Sequence, residues 1–238
     1  MLQIERQEQI LQLLGSNGAL RVGDLAKALY TSEATVRRDL SAMEKQGLVR
    51  RVYGGVVPAK EDMPLDFRSK ENTAAKREIA ARAARLIREG DTVFLDASST
   101  AQHLIPHLSH FRELTVITNS LRVLEALSAG PHRLLSTGGE LISRNMALVG
   151  RAAESTLENL APSIAFFSAQ GLSESGEITD SSEEETALRR AVLRRAVRRV
   201  FLCDSSKLGK QYLYRLCHLR DVDDVIANCA LPPDTTDQ

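Results

Sequence analysis

The sequence predicts an α/β protein in two parts, a small unit of three helices and a hairpin followed by a larger domain built on a parallel sheet. Three observations carry this prediction. First, residues 31–40, TSEATVRRDL, begin with a helix-capping serine that is followed by apolar residues at helical spacing. Second, short apolar strands alternate with helices from residue 73 onward. Third, 238 residues are enough to form two separate hydrophobic cores. We expect the small unit at residues 1–57, a connector at 58–72 and the larger domain at 73–238.

The first two helices of the small unit are indicated by apolar residues that fall on one helical face. These residues are Ile10, Leu11, Leu13 and Leu14 in the first helix and Leu25, Ala26 and Leu29 in the second, DLAKAL at 24–29. A tight turn at Tyr30 and Thr31 leads from the second helix into the third. This order of elements is typical of a helix-turn-helix.

The third helix begins at Ser32, a good N-cap, and Glu33 follows where the helix dipole favours negative charge. Val36, Leu40 and Met43 recur at i, i+4 and i+7, which predicts a face that packs in a core. The opposite face is small, hydroxylated or basic: Ala34, Arg37, Arg38, Ser41 and Lys45. Such a face suits the DNA major groove, where arginine bonds guanine edges or phosphates. An ordinary solvated surface helix would show the same pattern.

A hairpin follows the third helix. Gly47 suits the helix end, and residues 48–57, LVRRVYGGVV, predict two strands turning at Gly54 and Gly55. Three helices and a hairpin make a winged helix-turn-helix. We expect its DNA contacts to come from Ser32, Thr35, Arg37, Arg38, Ser41, Lys45, Arg50 and Arg51.

Composition bounds the classes of function. Basic and acidic residues are both 31, so the chain is neutral, yet residues 1–57 carry net +2 and the remainder net −2. That sign fits a small unit that touches DNA. Cys203, Cys217 and Cys229 lack the spacing of a zinc site or disulfide framework. No signal peptide and no apolar run of membrane-spanning length is evident, so we expect a cytoplasmic protein with no membrane partner.

The larger domain alternates strands and helices, which predicts a largely parallel sheet covered on both faces. The predicted strands are 92–95, 114–117, 133–136, 163–167, 200–203 and 225–227. The predicted helices are 73–89, 101–108, 121–128, a helix from Gly150 to about 160, and 183–198. The connector is polar, and Leu65 and Phe67 are the residues that would attach it to this domain.

Polar residues cluster in the loops that follow four of these strands. The clusters are Asp96, Ser98, Ser99 and Thr100; Thr118, Asn119 and Ser120; Thr137, Gly138 and Gly139; and Asp204, Ser205, Ser206 and Lys207. Strand-to-helix loops of parallel sheets form ligand sites, and hydroxyls, amides and a lysine suit a phosphorylated sugar or polyol. Each loop taken alone could simply cap a helix. Lys207 could also form a structural ion pair with Asp96 or Asp204.

The N-terminal motif resembles the DNA-binding module of the DeoR family of bacterial repressors. The matching residues are Arg6, Ile10, Leu13, Gly18, Leu25, Ala26, Ser32, Thr35, Val36, Arg37, Arg38, Asp39, Leu40, Glu44, Gly47, Arg51, Gly54 and Gly55. Thr31 stands where the family usually has Val.

The resemblance extends to the family's sensor region. The matching residues there are Lys76, Ile79, Ala80, Ala83, Ile87, Gly90, Asp91, Asp96, Ser99, Thr100, Thr118, Asn119, Gly138, Gly139, Gly176, Thr179, Asp180, Asp204, Ser206 and Lys207. It implies a fold similar to ribose-5-phosphate isomerase and CoA transferases, and a phosphorylated sugar-type effector. Ser98 replaces a loop glycine, Gln170 stands where Asp or Asn is commoner, and the C-terminal tail is short and Pro-rich.

These observations predict a transcriptional repressor of a sugar or polyol operon whose effector modulates operator binding. The expected effector contacts are Asp96, Ser98, Ser99, Thr100, Thr118, Asn119, Ser120, Gly138, Gly139, Gln170, Asp180, Asp204 and Lys207. We expect a homo-oligomer, dimer or tetramer, because one small DNA-binding unit binds too weakly alone. No cofactor is expected, and whether the effector releases or promotes DNA binding stays open.

Three other interpretations compete with this one. A sugar-phosphate isomerase could use Asp96, Asp180, Asp204 and Lys207 for proton transfer, although no histidine falls in those clusters. A thiol sensor could be built on Cys203. The acids Glu183, Glu184 and Glu185 could bind a metal, but they open a helix ending in Arg189, Arg190, Arg194, Arg195, Arg198 and Arg199, and complementing the helix dipole at both ends explains them better.

Overall fold

The computed structural model describes residues 2–17, 19–52, 55–58 and 65–232, and the chain divides into two compact units, Met1–Pro64 and Leu65–Gln238. Four expectations fall on residues outside this description: Gly18, Gly54 of the predicted hairpin turn, residues 59–64 of the connector and the tail from 233. Among the described residues, no helix is both long enough and apolar enough to cross a membrane.

The first unit is a winged helix-turn-helix, as the sequence predicts. Its helices are α1 (Gln3–Asn17), α2 (Val22–Ala28) and α3 (Glu33–Lys45), and its strands are β1 (Leu20–Arg21), β2 (Val49–Val52) and β3 (Gly55–Pro58). The strands form an antiparallel sheet in the order β1-β3-β2. The two-residue strand β1 is too short to leave a pattern in the sequence. We call β2 and β3 the wing.

Helix α3 begins and ends as its sequence indicates. The Ser32 hydroxyl accepts a hydrogen bond from the Thr35 amide at 3.2 Å, which caps the first turn. Val36, Leu40 and Met43 are buried. After the last turn Gly47 has φ +70°, a conformation that favours glycine, and the chain reverses there into the wing.

The second unit contains a six-stranded parallel sheet between helices. Its strands are β4 (Thr92–Leu95), β5 (Thr115–Thr118), β6 (Arg133–Ser136), β7 (Glu140–Ile142), β8 (Ala147–Val149), β9 (Ile164–Phe167), β10 (Gly171–Leu172), β11 (Glu177–Asp180), β12 (Arg198–Cys203), β13 (Tyr214–His218) and β14 (Asp224–Ala227). Its helices are α4 (Leu65–Lys70), α5 (Thr73–Ala84), α6 (Ile105–Leu108), α7 (Leu121–Leu127), α8 (Arg151–Glu158) and α9 (Glu183–Arg195).

The parallel sheet has the order β14-β12-β9-β4-β5-β6. Side chains that alternate along β4 enter different cores. Val93 and Leu95 pack in one core with residues of α5 and α7, whereas Phe94 packs in the other with residues of α8 and α9. The chain builds one half of the sheet from β4 to β6 and then returns to build the other half from β9. The adjacent pair β4 and β9 is therefore the switch point beside which ligands bind in such sheets.

The sequence does not predict several smaller elements. The stretch before Gly150, interpreted as irregular, contains the antiparallel hairpin β7–β8. A second antiparallel sheet, β10-β11-β13, is absent from the predicted elements. Helix α4 lies inside the predicted connector and buries Leu65. Three predicted helices are also shorter than expected: α5 ends at Ala84, α9 ends at Arg195, and residues Ala101–Leu104 form a 3-10 turn before α6.

Candidate functional site

The outward face of α3 is basic and exposed. Arg37, Arg38 and Lys45 are all exposed, and the Arg37 guanidinium lies 3.1 Å from the Glu33 carboxylate one turn earlier. Within the described part of the chain, neither Arg38 nor Lys45 has a side-chain hydrogen bond or ion pair. An arginine without an internal partner keeps all its donors available for a ligand.

The wing is attached to the end of α3. The Arg51 backbone amide donates to Glu44 Oε1 at 3.0 Å, and the Arg51 guanidinium lies 3.5 Å from Ser41 Oγ. Ser41 in turn donates to the Arg37 carbonyl at 2.8 Å. Arg50 is exposed on the same strand. Arg50 and Arg51 therefore both lie on a strand that is hydrogen-bonded to α3.

The aspartate of the VRRDL motif, Asp39, faces inward. It is 1% exposed, and Arg6 of α1 donates to both of its oxygens at 2.8 and 3.3 Å. The hydrogen bond to Asp39 raises the pKa of Arg6 above its ordinary value. This pair keeps an acid off the basic face of α3 and joins the helix to α1.

In the second unit, polar loops meet at the carboxyl edge of the parallel sheet. Lys207 lies after β12, and its Nζ is 3.1 Å from Asp204 Oδ2, 2.9 Å from Ser168 Oγ and 3.3 Å from Thr100 Oγ1. We call Thr100, Ser168, Asp204 and Lys207 the Lys207 cluster. It lies at the ends of β4, β9 and β12 and so spans the switch point of the sheet. Burial opposes ionisation of Asp204, but the Lys207 ammonium holds the pKa of that carboxyl well below its ordinary value.

A second buried group surrounds Arg189. Its Nε and Nη1 lie 2.9 Å from Asp96 and from Asp180, and its Nη2 is 3.7 Å from Glu185. We call these four residues the Arg189 cluster. Burial alone would lower the pKa of Arg189, but Asp180 and Asp96 raise it above its ordinary value. Burial raises the pKa of Glu185 despite the neighbouring arginine.

The Arg189 cluster corrects one interpretation of the sequence. Arg189 is not one of the cations that complement the end of α9, because it is buried in the middle of the unit and bound by three acids. Arg198 and Arg199 are not helical either: they begin β12 and pair with Asp224 and Asp223. Across the described residues, no group of three His, Cys, Asp or Glu side chains could hold a metal ion.

Helix α4 and the residues that follow it are linked by hydrogen bonds to both clusters. Arg68 donates to Asn145 Oδ1 at 2.8 Å, and Asn145 donates to Glu185 of the Arg189 cluster at 2.8 Å. The chain after α4 reaches the other cluster, since Asn72 Nδ2 lies 3.2 Å from Asp204. Lys76 of α5 donates to the Arg68 carbonyl, and burial lowers the pKa of Lys76 to about 8.

Two carboxylates predicted to contact the effector are already bonded by protein groups. Asp96 accepts hydrogen bonds from the amides of Ser98 and Ser168 in addition to Arg189. Asp180 accepts from the amides of Ser181 and Ser182. Asp96 therefore holds together the loops that follow β4 and β9, and Asp180 holds the residues that begin α9.

Several of the predicted loop hydroxyls cap local structure. Ser98 Oγ accepts from the Ala101 amide at 3.1 Å, and Ser120 Oγ accepts from the Val123 amide at 3.3 Å. Thr118 donates to the Leu95 carbonyl of the neighbouring strand at 2.6 Å. At Ser98 the backbone does not adopt positive φ, so the glycine usual in the family is not needed for conformation.

The remaining predicted effector residues differ in exposure. Ser99 and Asn119 are buried, and Gln170 is half-buried. Gly138 and Gly139 are exposed and have φ +65° and +106°; a Cβ on Gly139 would lie 2.3 Å from the Val149 carbonyl oxygen. That glycine is required where the loop passes the hairpin.

The sequence did not indicate Ser168, Arg68 or Asn145, and it gave Glu185 and Arg189 other roles than the buried ion pair they form. Ser168 directly follows a buried strand, the same signal that marked the other loops. Arg189 lies one turn after Glu185 and beside Leu188 on the buried side of α9. The sequence signal that could have predicted this buried ion pair is a charged residue on the apolar face of a helix.

The cysteines are poor thiolate nucleophiles. Burial raises the pKa of Cys203 and of Cys217 to about 12. A thiol in this state is protonated at neutral pH, which disfavours the thiol-sensor interpretation.

Comparison with known proteins gives two family matches. Residues 6–62 match the DeoR-like helix-turn-helix domain, and residues 71–228 match the DeoR C-terminal sensor domain.

Curated relatives match over nearly the full chain. The transcriptional regulator GolR of Listeria innocua is 36% identical, over 88% of this chain and 84% of its own. The lactose phosphotransferase system repressor of Streptococcus mutans is 32% identical, over 94% and 92%. A putative aga operon transcriptional repressor of Escherichia coli O157:H7 is 31% identical, over 97% and 88%.

Solved structures are more distant. Ribose-5-phosphate isomerase A of Methanocaldococcus jannaschii is 21% identical and covers 58% of this chain and 55% of its own, with a TM-score of 0.44. The sorbitol operon regulator SorC of Klebsiella pneumoniae is 14% identical and covers 95% and 96%, with a TM-score of 0.42.

Proposed function

The chain belongs to the DeoR family of DNA-binding transcriptional regulators, and from this premise we propose that it represses a sugar or polyol operon under the control of a phosphorylated sugar-type effector. The names of its relatives support the proposal, since they include a lactose phosphotransferase system repressor and a putative aga operon repressor. In this proposal the first unit binds the operator and the second binds the effector.

The proposed DNA contacts are those of α3 and the wing. Helix α3 enters the major groove, where Arg37, Arg38 and Lys45 meet base edges or phosphates. The exposure of these three side chains supports this role. Arg50 and Arg51 contact the backbone from the wing, and the hydroxyls of Ser32, Thr35 and Ser41 complete the surface.

The observation that carries the effector proposal is the position of Lys207 at the switch point of the sheet. A buried ammonium surrounded by hydroxyls from two loops is a suitable site for a phosphate dianion. Thr100 contacts this ammonium directly. In this proposal the other effector contacts come from the same loop and from neighbouring strand ends: Ser98, Ser99, Asn119, Ser120, Gly138, Gly139 and Gln170.

Lys207 has three protein partners, which accounts for all three protons of its ammonium. A phosphate must therefore replace one of them. The Thr100 hydroxyl, at 3.3 Å, is the most distant of the three, and we propose that the effector displaces it while Asp204 stays paired. Lys207 then serves both as a structural ion-pair partner and as a ligand contact.

The effector proposal is tested by titrating sugar and polyol phosphates against the protein–DNA complex. The compounds are first selected by a thermal-shift screen of the full chain, because a ligand specific for the folded state raises its melting temperature. The Lys207→Ala variant should bind DNA normally and require about ten- to a hundredfold more effector, since a charge-assisted hydrogen bond contributes roughly 1.5–3 kcal/mol.

The exposed neighbour Lys210 provides the matched control, and Lys210→Ala should respond like wild type. A Lys207→Ala variant with the wild-type response would remove Lys207 from the effector site. Melting of the unliganded variant measures the ion-pair role separately, because Asp204 is left buried without its cation.

We also propose that the second unit binds its ligand without converting it. Asp96 and Asp180 are both bonded to Arg189, so neither carboxylate is available as a general base. Incubation of the screened aldose and ketose phosphates with the protein, followed by NMR, should show no isomerised product. Product formation at a rate proportional to protein concentration would establish the isomerase alternative.

The proposed operator-binding form is a homo-oligomer, dimer or tetramer. Two linked DNA-binding units that contact two half-sites bind an operator more tightly than one small unit does alone. Light scattering of the full chain measures its mass in solution, and a monomer at the concentrations of DNA binding would contradict this part of the proposal.

A further inference from the structure

Tyr30 has a backbone conformation that disfavours a bulky side chain. It lies in the turn between α2 and α3 with φ +50°. The Tyr30 amide donates to the Lys27 carbonyl and the Thr31 amide to the Ala26 carbonyl, the bond pattern that ends a helix through a left-handed residue. Glycine or asparagine is the usual residue there, and an aromatic side chain in this conformation is strained.

The fold gains nothing from the Tyr30 side chain. The residue is 97% exposed, so its ring buries almost no surface against the protein. Among the described residues, its hydroxyl has no hydrogen-bond partner. A strained residue whose side chain supports no internal contact points to a role outside the folded unit.

Tyr30 borders the surface assigned to DNA. It lines a cleft of about 850 Å³ together with the start of α2, the first turns of α3 and the wing. Arg21, Lys27, Arg37 and Arg51 also line this cleft. Its two acids are Asp24 and Glu33, and Glu33 is paired with Arg37. The excess of positive charge and the continuity with α3 favour a phosphate backbone as the occupant.

We propose that Tyr30 is an additional DNA contact, with its hydroxyl donating to a backbone phosphate and its ring packing on the adjacent deoxyribose. The inference rests on the proposed placement of α3 in the major groove. A tyrosine contact of this kind fixes the position of the protein on the duplex and does not read a base directly. Since the phenol is uncharged, it adds affinity without releasing counterions.

The test compares Tyr30→Gly, Tyr30→Ala and Tyr30→Phe in the full chain. The probe is a duplex that the wild-type chain selects from a random-sequence pool. Tyr30→Gly and Tyr30→Ala should each weaken binding about tenfold. Tyr30→Phe, which keeps the ring, should weaken it roughly two- to fivefold, the lower part of the range of one neutral hydrogen bond. The slope of log K against log salt should not change in any of them.

Melting of the free protein separates a DNA contact from a structural role. Tyr30→Gly removes the backbone strain, so it should melt higher than Tyr30→Ala, although both lose the ring. Lower affinity with undiminished melting supports the proposal. Wild-type affinity in Tyr30→Gly overturns it. The proposal is also overturned if binding is weaker only in those variants whose melting temperature is lower.

Arg38→Ala in the same assay distinguishes failure of the Tyr30 contact from failure of the proposed placement of α3 in the major groove. Weakened binding in Arg38→Ala together with wild-type binding in Tyr30→Gly refutes the tyrosine contact alone. Wild-type binding in both refutes the placement of α3. Ile4→Ala removes another exposed apolar side chain of the first unit, outside the cleft, and should bind like wild type.

Discussion

Replacing Arg189 by methionine should destabilise the second unit strongly. Methionine keeps an unbranched side chain that extends as far as the arginine Nε but removes the charge that three buried acids share. Asp96 and Asp180 lie 2.9 Å from the guanidinium and Glu185 3.7 Å. Without it, these buried carboxylates lose the cation that they share, and Arg68 is left as a neighbouring positive charge.

The expected cost is large. Removing one partner of a buried ion pair destabilises a protein by about 3–5 kcal/mol. For a domain of roughly 150–250 residues, each 1 kcal/mol lowers the melting temperature by about 2–4 °C, so a fall of about 6–20 °C is expected. Arg194→Met, in the exposed last turn of the same helix, is the matched control. It loses only its interaction with the helix dipole, about 0.3–1 kcal/mol.

The pH dependence gives the test a direction as well as a size. Without Arg189, burial and mutual repulsion raise the carboxyl pKa values of the folded variant above those of its unfolded chain. Stability contributed by such groups is present at low pH and is lost as the pH rises through the folded-state values. The difference in melting temperature between variant and wild type should therefore narrow when the pH is lowered from 7.5 to 5.

Thermal denaturation of the full chain, followed by circular dichroism at both pH values, measures these quantities. An Arg189→Met protein that melts within the range of Arg194→Met would refute the reasoning. A difference that widens at pH 5 would show that the acids are not the source of the instability.

Three further predictions concern DNA binding and protonation. Arg38→Ala should lose about 1–3 kcal/mol of specific binding by fluorescence anisotropy while melting like wild type, because its side chain is exposed. Replacing Arg50 and Arg51 together by alanine should lower the slope of log K against log salt by about 2, and an unchanged slope would place the wing away from phosphates. Burial lowers the pKa of Lys76 from its ordinary 10.5 to about 8, so the contribution of Lys76 to stability should rise with pH above 8, because the folded state releases its proton first. Urea denaturation between pH 7 and 9 should show the free energy of unfolding of wild type rising relative to that of Lys76→Met, whereas the buried thiols of Cys203 and Cys217 lower stability with rising pH in both proteins.

The elements that the sequence predicts well are those with a local physical cause. The start of α3 follows from a capping serine and a three-residue apolar stripe. Strand β4 was predicted at its observed bounds because four apolar or β-branched residues lie between Asp91 and the polar residues after Leu95. The parallel order of the sheet follows from the alternation of strands and helices.

The elements that the sequence does not predict depend on distant partners. Hairpin β7–β8 and the sheet β10-β11-β13 consist of short strands whose pairing is fixed by neighbours across the fold. Arg189 was assigned to the basic helix end because its local context is a run of arginines. Its real partners, Asp96 and Asp180, lie 93 and 9 residues away in sequence. The periodicity of apolar residues predicts which face of a helix is buried, but it does not predict which distant residue forms an ion pair with a charge on that face.

Helix α3 separates the residues that hold it from those that face outward. Val36, Asp39, Leu40 and Met43 are buried, and Arg6 neutralises the one acid among them. The remaining face carries Ala34, Arg37, Arg38 and Ser41, which contribute little to that packing. Operator preference can therefore be redesigned by exchanging these outward residues in combinatorial libraries without rebuilding the domain core. The same division would let related regulators in one cell diverge in the genes they control while keeping one scaffold.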